Sequence, residues 1–260
     1  GLVQAVVYSY GLRTLLAVAL YAISFWHWPL LTSLQFSLEP GFWLFGLDSH
    51  LYDRYGVFIA QAWAQGIELP NPELGIEYFA LVAVIYRLLG ANPLYPILLN
   101  CWLGAFTGLL AFRIGRRLFS PRAARWGALL VTFWPSSLLW SAQLLKDALS
   151  WVLVFSALWL VLRLAFDLRP THRMGWVGWA LQWVGLVMTV TLLTRLRFYL
   201  GSALSLAAVL ILLPRGCLLL MRRLRGAALR MGGVALVVVT CTVVARTLDP
   251  LTWLSPRHPE

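Results

Sequence analysis

The sequence predicts an all-α integral membrane protein with about seven transmembrane helices. Of its 260 residues, 60% are hydrophobic and only 12% are charged, whereas a soluble domain usually has about 25% charged residues. The mean hydropathy is +0.77, and the apolar residues occur in runs suited to a hydrocarbon core of roughly 30 Å. This composition excludes a water-soluble globular enzyme, a disordered chain and a disulfide-bonded scaffold.

Seven apolar runs are candidate transmembrane helices, since a span needs about 20 such residues. They cover residues 14–32, 94–113, 123–144, 148–165, 175–194, 197–213 and 232–247. A further run, 76–90, is shorter and contains Arg87. Counting it as a span would invert every later helix, so we interpret it as an amphipathic helix that lies at the outer membrane interface.

Three arginine-rich connections set the predicted orientation. They lie at 113–125, 163–174 and 214–231, and together with Arg13 they contain 14 of the 21 basic residues. Positive residues concentrate on the cytoplasmic side of a membrane. We therefore expect one membrane domain over 1–260 in the plasma (inner) membrane, with the N-terminus cytoplasmic, the C-terminus external and an external segment at 33–93.

The net charge of +11 has a membrane explanation. Its arginines lie in short clusters between apolar runs, where they orient spans and contact lipid headgroups. A nucleic-acid partner would instead need a continuous basic surface along a phosphate backbone. The expected partners are therefore membrane lipids and other membrane subunits, and no nucleic acid.

The predicted external segment is rich in acids. It holds six of the ten carboxylates: Glu39, Asp48, Asp53, Glu68, Glu73 and Glu77. Asp48, His50, Tyr52 and Asp53 open the helix-like stretch LDSHLYDRYGVFIAQAWAQG, in which Asp48 and Tyr52 share a face because they are four residues apart. Asp48 also stands where an N-cap would, so capping alone can explain it.

Two other external connections carry charges. LLKDAL places Lys146 and Asp147 at the start of the fourth span, and TRLRFYLG places Arg195, Arg197 and Tyr199 between the fifth and sixth. Arginines on the side that is usually poor in them indicate either snorkelling to lipid phosphates or a bound phosphate, which the planar guanidinium suits. Asp147 is equally explained as an acid at a helix start.

Two stretches between Asp48 and Arg163 carry a family resemblance: DSHLYDRYGVFIA and NPLYPILLNCWLGAFTGLLAFRIGRRLFSPRAARWGALLVTFWPSSLLWSAQLLKDAL. They combine an external acid, an arginine-rich turn, a span with proline near its outer end and a second external acid. Here these features are Asp48, Arg116 to Phe119, Pro135 and Asp147. This pattern resembles the GT-C membrane glycosyltransferases, in the branch of protein O-mannosyltransferases and lipid A aminoarabinose transferases.

The resemblance implies an inverting transfer of a sugar from a polyprenyl-phosphate donor to an acceptor hydroxyl at the outer membrane face. Asp48 would be the catalytic base and Asp147 a second acid at the site. Cations would stabilise the departing phosphate; the candidates are Lys146, Arg195 and Arg197. The expected substrate contacts are His50, Tyr52, Asp53, Glu73 and Tyr199. No cofactor is expected, and a divalent metal is not favoured.

The chain also departs from that family, which leaves other hypotheses open. Its members are longer, and they carry a Glu-Lys-Pro or Pro-Pro-Leu element where this chain has ELPNPELGIEYF, with Glu73 but no lysine beside it. The alternative is a non-catalytic, structural or lipid-binding subunit of a larger membrane complex, with which the 14 tryptophans are compatible. A transporter is less favoured, because the predicted span interiors have almost no ionisable residues.

Overall fold

The computed structural model describes residues 2–36, 39–67, 76–166 and 176–222. Over these ranges the chain is helical without a strand, and one isolated antiparallel bridge pairs Gln35 with Trp43. The chain divides into two compact units, 1–155 and 156–260. The predicted span 232–247, most of the basic connections at 163–174 and 214–231, Glu68 and Glu73 lie outside the described residues.

The first unit is formed by α1 (Leu2–Phe25), α2 (Ser49–Gln65), α3 (Ile76–Leu89), α4 (Leu94–Leu118), α5 (Pro121–Phe133), α6 (Pro135–Ser141) and the beginning of α7 (Asp147–Phe166). Two 3-10 turns, Thr32–Leu34 and Leu44–Gly46, lie between α1 and α2. The second unit contains the remainder of α7, α8 (Trp176–Leu196) and α9 (Phe198–Arg222).

Among the residues that the structure describes, four helices are long and apolar enough to cross a membrane, which agrees with an α-helical membrane protein. They are Val3–Phe25, Leu94–Leu118, Asp147–Phe166 and Val177–Leu196. Phe198–Leu213 is a shorter apolar helix. The helix predicted at 76–90 is present as α3, and its location at the outer membrane interface stays a prediction. The count of seven spans, the single domain and the orientation of the chain stay predictions.

The first helix lies earlier in the chain than predicted. It covers Leu2–Phe25 rather than 14–32, because the apolar residues before Arg13 continue the helix and His27, with a φ of 48°, follows its end. Arg13 was expected at the cytoplasmic end of this span. It instead lies midway along α1 and is fully buried, so the expectation of nearly ion-free span interiors is wrong at this position.

Arg13 uses all five of its N–H groups. Its Nε donates to Ser141 Oγ at 2.9 Å, and its Nη1 donates to the carbonyl and the hydroxyl of Ser9. Its Nη2 donates to the Thr132 carbonyl at 2.6 Å and to Ser137 Oγ at 3.2 Å. The buried guanidinium is thus held by carbonyl and hydroxyl oxygens, and it connects α1 to α5 and α6.

The predicted span 123–144 is two helices rather than one. α5 ends at Phe133 and α6 begins at Pro135, because proline lacks the amide hydrogen that would continue the helical bonding. The break leaves carbonyl oxygens of α5 without helical partners, and Arg13 binds one of them, at Thr132. Gly104 of α4 leaves the necessary space, since a Cβ there would lie 2.8 Å from Arg13 Nε.

Candidate functional site

The segment that leads into α2 is anchored to the end of α1. Ser24 Oγ donates to the Phe42 carbonyl at 2.7 Å, and the indole Nε1 of Trp43 donates to the Leu20 carbonyl at 3.0 Å. Trp43 is itself buried. These bonds fix the 3-10 turn Leu44–Gly46 and therefore the point at which α2 starts.

Asp48 occupies the N-cap position of α2, as its sequence context predicted. Its side chain is exposed, and it makes no capping hydrogen bond to the described start of the helix. Only its main chain takes part, since the Tyr52 amide donates to the Asp48 carbonyl at 3.0 Å. Capping by the carboxylate therefore does not explain this residue, and the carboxylate is accessible from outside the chain.

Tyr52 and His50 both pack against other aromatic side chains of the first unit, and their contacts with a substrate stay predictions. Tyr52 is 4% exposed, and its ring packs edge-on against Tyr78 of α3, with centroids 4.7 Å apart. The ring of His50 lies 4.6 Å from that of Phe36 and is half-buried. Tyr52 is therefore a core residue of the α2–α3 pair, on the covered side of α2, while Asp48 faces outward.

Asp53 also faces α3, where it accepts a hydrogen bond from the hydroxyl of Tyr86. Burial raises the pKa of Asp53; the bond from Tyr86 opposes this shift, and the nearby charge of Glu39 adds to it. Glu39 itself pairs with Arg54, 3.3 Å away on the exposed side of α2. The carboxyl group of Asp53 thus binds protons more readily than that of an ordinary aspartate.

The raised pKa of Asp53 predicts that the Asp53→Asn substitution increases the stability of the folded protein in a pH-dependent way. An acid whose pKa is higher in the folded state than its unfolded value of about 3.9 loses stability as the pH rises through that interval. Asparagine stays neutral and still accepts the Tyr86 bond. We expect thermal unfolding to show a higher midpoint for Asp53→Asn than for wild type at pH 7 and equal midpoints near pH 4.

Tyr86→Phe provides the comparison for this experiment. It removes the hydrogen bond that lowers the pKa of Asp53, so the pH-dependent loss of stability should extend to higher pH. A wild-type midpoint that does not decrease between pH 4 and pH 7, or the same decrease in Asp53→Asn, would contradict the assignment to this carboxyl group.

Lys146 and Asp147 form the turn at the start of α7, as predicted. Both are half-buried, and Asp147 is the first residue of the helix, where a negative charge complements the helix dipole. The hydroxyl and the amide of Ser150 both donate to the Lys146 carbonyl, at 2.9 and 3.0 Å. The two charged residues therefore stand on an ordered helix terminus.

Asn100 of α4 holds the segment before this turn, and the sequence pattern did not predict this role. The Nδ2 of Asn100 lies 2.7 Å from the Gln143 carbonyl, 2.8 Å from the Leu145 carbonyl and 2.9 Å from the Tyr78 hydroxyl. It is 1% exposed. The available signal was a lone amide inside the apolar run 94–113, where a polar group needs partners.

In the second unit, Arg197 is the one residue between the end of α8 and the start of α9. The Arg197 amide donates to the Leu193 carbonyl at 2.7 Å, and its Nη1 donates to the Tyr199 hydroxyl at 2.7 Å. Arg195 lies in the last turn of α8 and is exposed. The predicted cluster of Arg195, Arg197 and Tyr199 is thus gathered at one helix junction.

The remaining predicted residues divide between the two units. Asp48 and Lys146 belong to the first unit and the arginine pair to the second, so a common site for all of them stays a prediction. Glu73 lies outside the described residues. Among the residues that the structure describes, no group of three or more His, Cys, Asp or Glu side chains is placed to hold a metal ion.

Comparisons with protein-family models, with characterised proteins and with solved structures find no match to this chain. The fold and its side chains are therefore the basis for assigning a function. They define an α-helical membrane protein with an exposed acid before α2 and an arginine pair between α8 and α9.

Proposed function

We propose that this chain is a membrane glycosyltransferase that moves a sugar from a polyprenyl-phosphate donor to an acceptor hydroxyl at the outer membrane face. The observation that carries the proposal is the carboxylate of Asp48, which is exposed at the start of an ordered helix and is not used in capping it. A carboxylate in this condition can accept a proton from a hydroxyl that approaches from outside.

The chemistry needs one base and no acid. The acceptor oxygen forms a bond to C1 of the sugar while the bond between C1 and the phosphate oxygen breaks, which inverts the configuration at C1. Asp48 takes the proton of the acceptor hydroxyl. The phosphate leaves with the electron pair of the broken bond, and as a stable anion it needs no proton at that moment.

The arginine pair is suited to the departing phosphate. A guanidinium presents N–H groups in a planar fork that matches two phosphate oxygens, and two arginines stand at the short junction between α8 and α9. The hydroxyl of Tyr199 orients the side chain of Arg197. In the seven-span topology predicted from the sequence, this junction, Asp48 and the Lys146–Asp147 turn all face the outside of the plasma membrane.

A second candidate function is a non-catalytic, lipid-binding subunit of a larger membrane complex. One observation favours it. A pocket beside the start of α2, with Tyr21, Ser49 and Gln143 in its wall, has a free volume of about 10 Å³. This is enough for roughly one water molecule, whereas a whole sugar ring needs far more space. A transferase with this pocket has to bind most of its donor elsewhere or widen the pocket on binding.

Mass spectrometry of co-purifying lipids tests the proposal. The detergent-extracted wild type is expected to retain polyprenyl phosphate or its glycosylated form. The Arg195→Ala/Arg197→Ala double variant is expected to retain at least tenfold less of this lipid per protein. The matched control is Arg122→Ala/Arg125→Ala, since both arginines are exposed on α5 and belong to the predicted cytoplasmic cluster. It should retain the lipid.

Two results would count against the transferase. Bulk phospholipid alone in all three samples would overturn the donor assignment, and stoichiometric partner proteins in the same samples would favour the subunit. Loss of the polyprenyl lipid in the control variant as well would show that charge in general, and not the junction between α8 and α9, retains it.

A further inference from the structure

A small pocket lies in the first unit, between α1, the start of α2 and the segment that follows α6. Aromatic side chains form one part of its wall, with Tyr21, Phe42 and Trp43. Ser49 and Gln143 supply its polar groups. The pocket is partly open, and its free volume of about 10 Å³ accommodates about one oxygen-sized group.

The polar groups of this pocket have unused hydrogen-bonding capacity. The Oγ of Ser49 and both the Nε2 and the Oε1 of Gln143 are buried, and no group in the described part of the chain bonds to any of them. Ser49 is 1% exposed and Gln143 is 5% exposed. Buried polar atoms of this kind are rare in proteins, and each requires an explanation such as a bound molecule.

The amide of Gln143 is held in place by its surroundings. Its main-chain carbonyl accepts a bond from Asn100 at 2.7 Å, and its side chain packs directly over Gly46, where a Cβ would overlap Gln143 Oε1. That same Cβ would lie 2.9 Å from Ser49 Oγ. The glycine therefore allows the amide and the hydroxyl to face one small space.

We propose that Ser49 and Gln143 bind one hydroxyl group of the donor sugar, an inference that rests on the proposed glycosyltransferase function. A hydroxyl both donates and accepts hydrogen bonds. The amide offers a donor at Nε2 and an acceptor at Oε1, and Ser49 Oγ offers either. A carboxylate or a phosphate would accept bonds but could not satisfy Oε1, so the site selects a neutral hydroxyl.

The position of the pocket gives this hydroxyl a role in the reaction. Ser49 directly follows Asp48, and consecutive Cα atoms are about 3.8 Å apart. A sugar with one hydroxyl held by Ser49 is therefore bound at the same end of α2 as Asp48, the proposed base, whose side chain is exposed next to the pocket residue. The site would orient the sugar and discriminate between sugars by the configuration of that hydroxyl. Water presents the same chemistry, and the experiment separates the two sources.

The test uses the full-length protein and the Ser49→Ala/Gln143→Met double variant, which removes the polar atoms while keeping similar shapes. Affinities are measured for polyprenyl phosphate linked to glucose, mannose or galactose and for sugar-free polyprenyl phosphate. We expect the double variant to lose about tenfold or more in affinity for the glycosylated lipid that wild type binds, since one hydrogen bond corresponds to roughly that factor. Affinity for the sugar-free lipid should not change.

Thermal unfolding without ligand is the second measurement. The double variant should be at least as stable as wild type, because it replaces unpaired buried polar atoms with apolar groups. The control Ser33→Ala/Gln61→Met changes an exposed serine and an exposed glutamine and should alter neither quantity. The single variant Ser49→Ala, which deletes one oxygen, gives the same affinity comparison if the double variant does not fold.

Each other outcome overturns the inference in a recognisable way. Unchanged affinity for the glycosylated lipid, together with reduced stability, would show that the pocket holds a structural water. Unchanged affinity with unchanged stability would remove Ser49 and Gln143 from ligand binding while leaving the proposed function intact. A wild type that binds none of the three glycosylated lipids would overturn the proposed function, and this inference with it.

Discussion

The Asp48→Asn variant is expected to turn over the sugar donor about 10²- to 10⁴-fold more slowly than wild type, which is the usual contribution of a general base. Asparagine has the size of aspartate but cannot take the acceptor proton. Because Asp48 is exposed and its side chain does not cap α2, the free energy of unfolding should change by less than about 0.5 kcal/mol. Release of polyprenyl phosphate from the glycosylated donor measures the rate.

Glu39→Gln is the matched control for this experiment. Glu39 is another acid between α1 and α2, it pairs with Arg54, and it has no role in the proposed reaction, so its variant should stay within about twofold of wild type. Asp48→Glu should recover part of the lost activity. If Asp48→Asn turns over the donor at the wild-type rate, Asp48 is not the base, and the subunit becomes the better explanation.

The Arg13→Met variant is expected to lose on the order of 3 kcal/mol in its free energy of unfolding. Methionine removes five hydrogen bonds and leaves the Thr132 carbonyl, which Arg13 binds at 2.6 Å, buried without a donor. The Pro135 break removes the helical alternative for that region. Thermal or denaturant unfolding of the detergent-purified protein measures the loss.

Arg13→Lys separates geometry from charge. Lysine keeps the positive charge but has three donors on one nitrogen, so it cannot reach acceptors on α1, α5 and α6 together. We expect it to lose nearly as much stability as Arg13→Met. Arg122→Met, at an exposed position of α5, should change stability by less than about 0.5 kcal/mol. A lysine variant as stable as wild type would show that charge alone is required.

Hydropathy predicted the membrane class because it depends on sums over about 20 residues. Such sums cannot reveal how one polar residue inside an apolar run is satisfied. They therefore place Arg13 at the boundary of a span and give no sign that Asn100 has a structural role. The partners of both residues lie on other helices, so only the tertiary arrangement explains why each is tolerated. The break at Pro135 was visible in the sequence, but its consequence for Thr132 was not.

The positions of the charged candidate residues at the ends of helices were predictable from the sequence. The acid before α2, the Lys146–Asp147 turn and the arginine pair between α8 and α9 were each placed correctly relative to a helix end. Helical periodicity put Tyr52 on the face of Asp48, but it could not show that α3 covers Tyr52. Ser49 and Gln143 gave no signal because they meet only through folding.

The bonding of Arg13 also constrains how this protein can be made. Three of its four partner residues, Thr132, Ser137 and Ser141, lie 119, 124 and 128 positions further along the chain. At about 5–20 residues per second, synthesis reaches them roughly 6–25 seconds after Arg13 is added. Throughout that interval Arg13 has only Ser9 among its partners to bind, so its complete set of hydrogen bonds can form only after α6 has been synthesised.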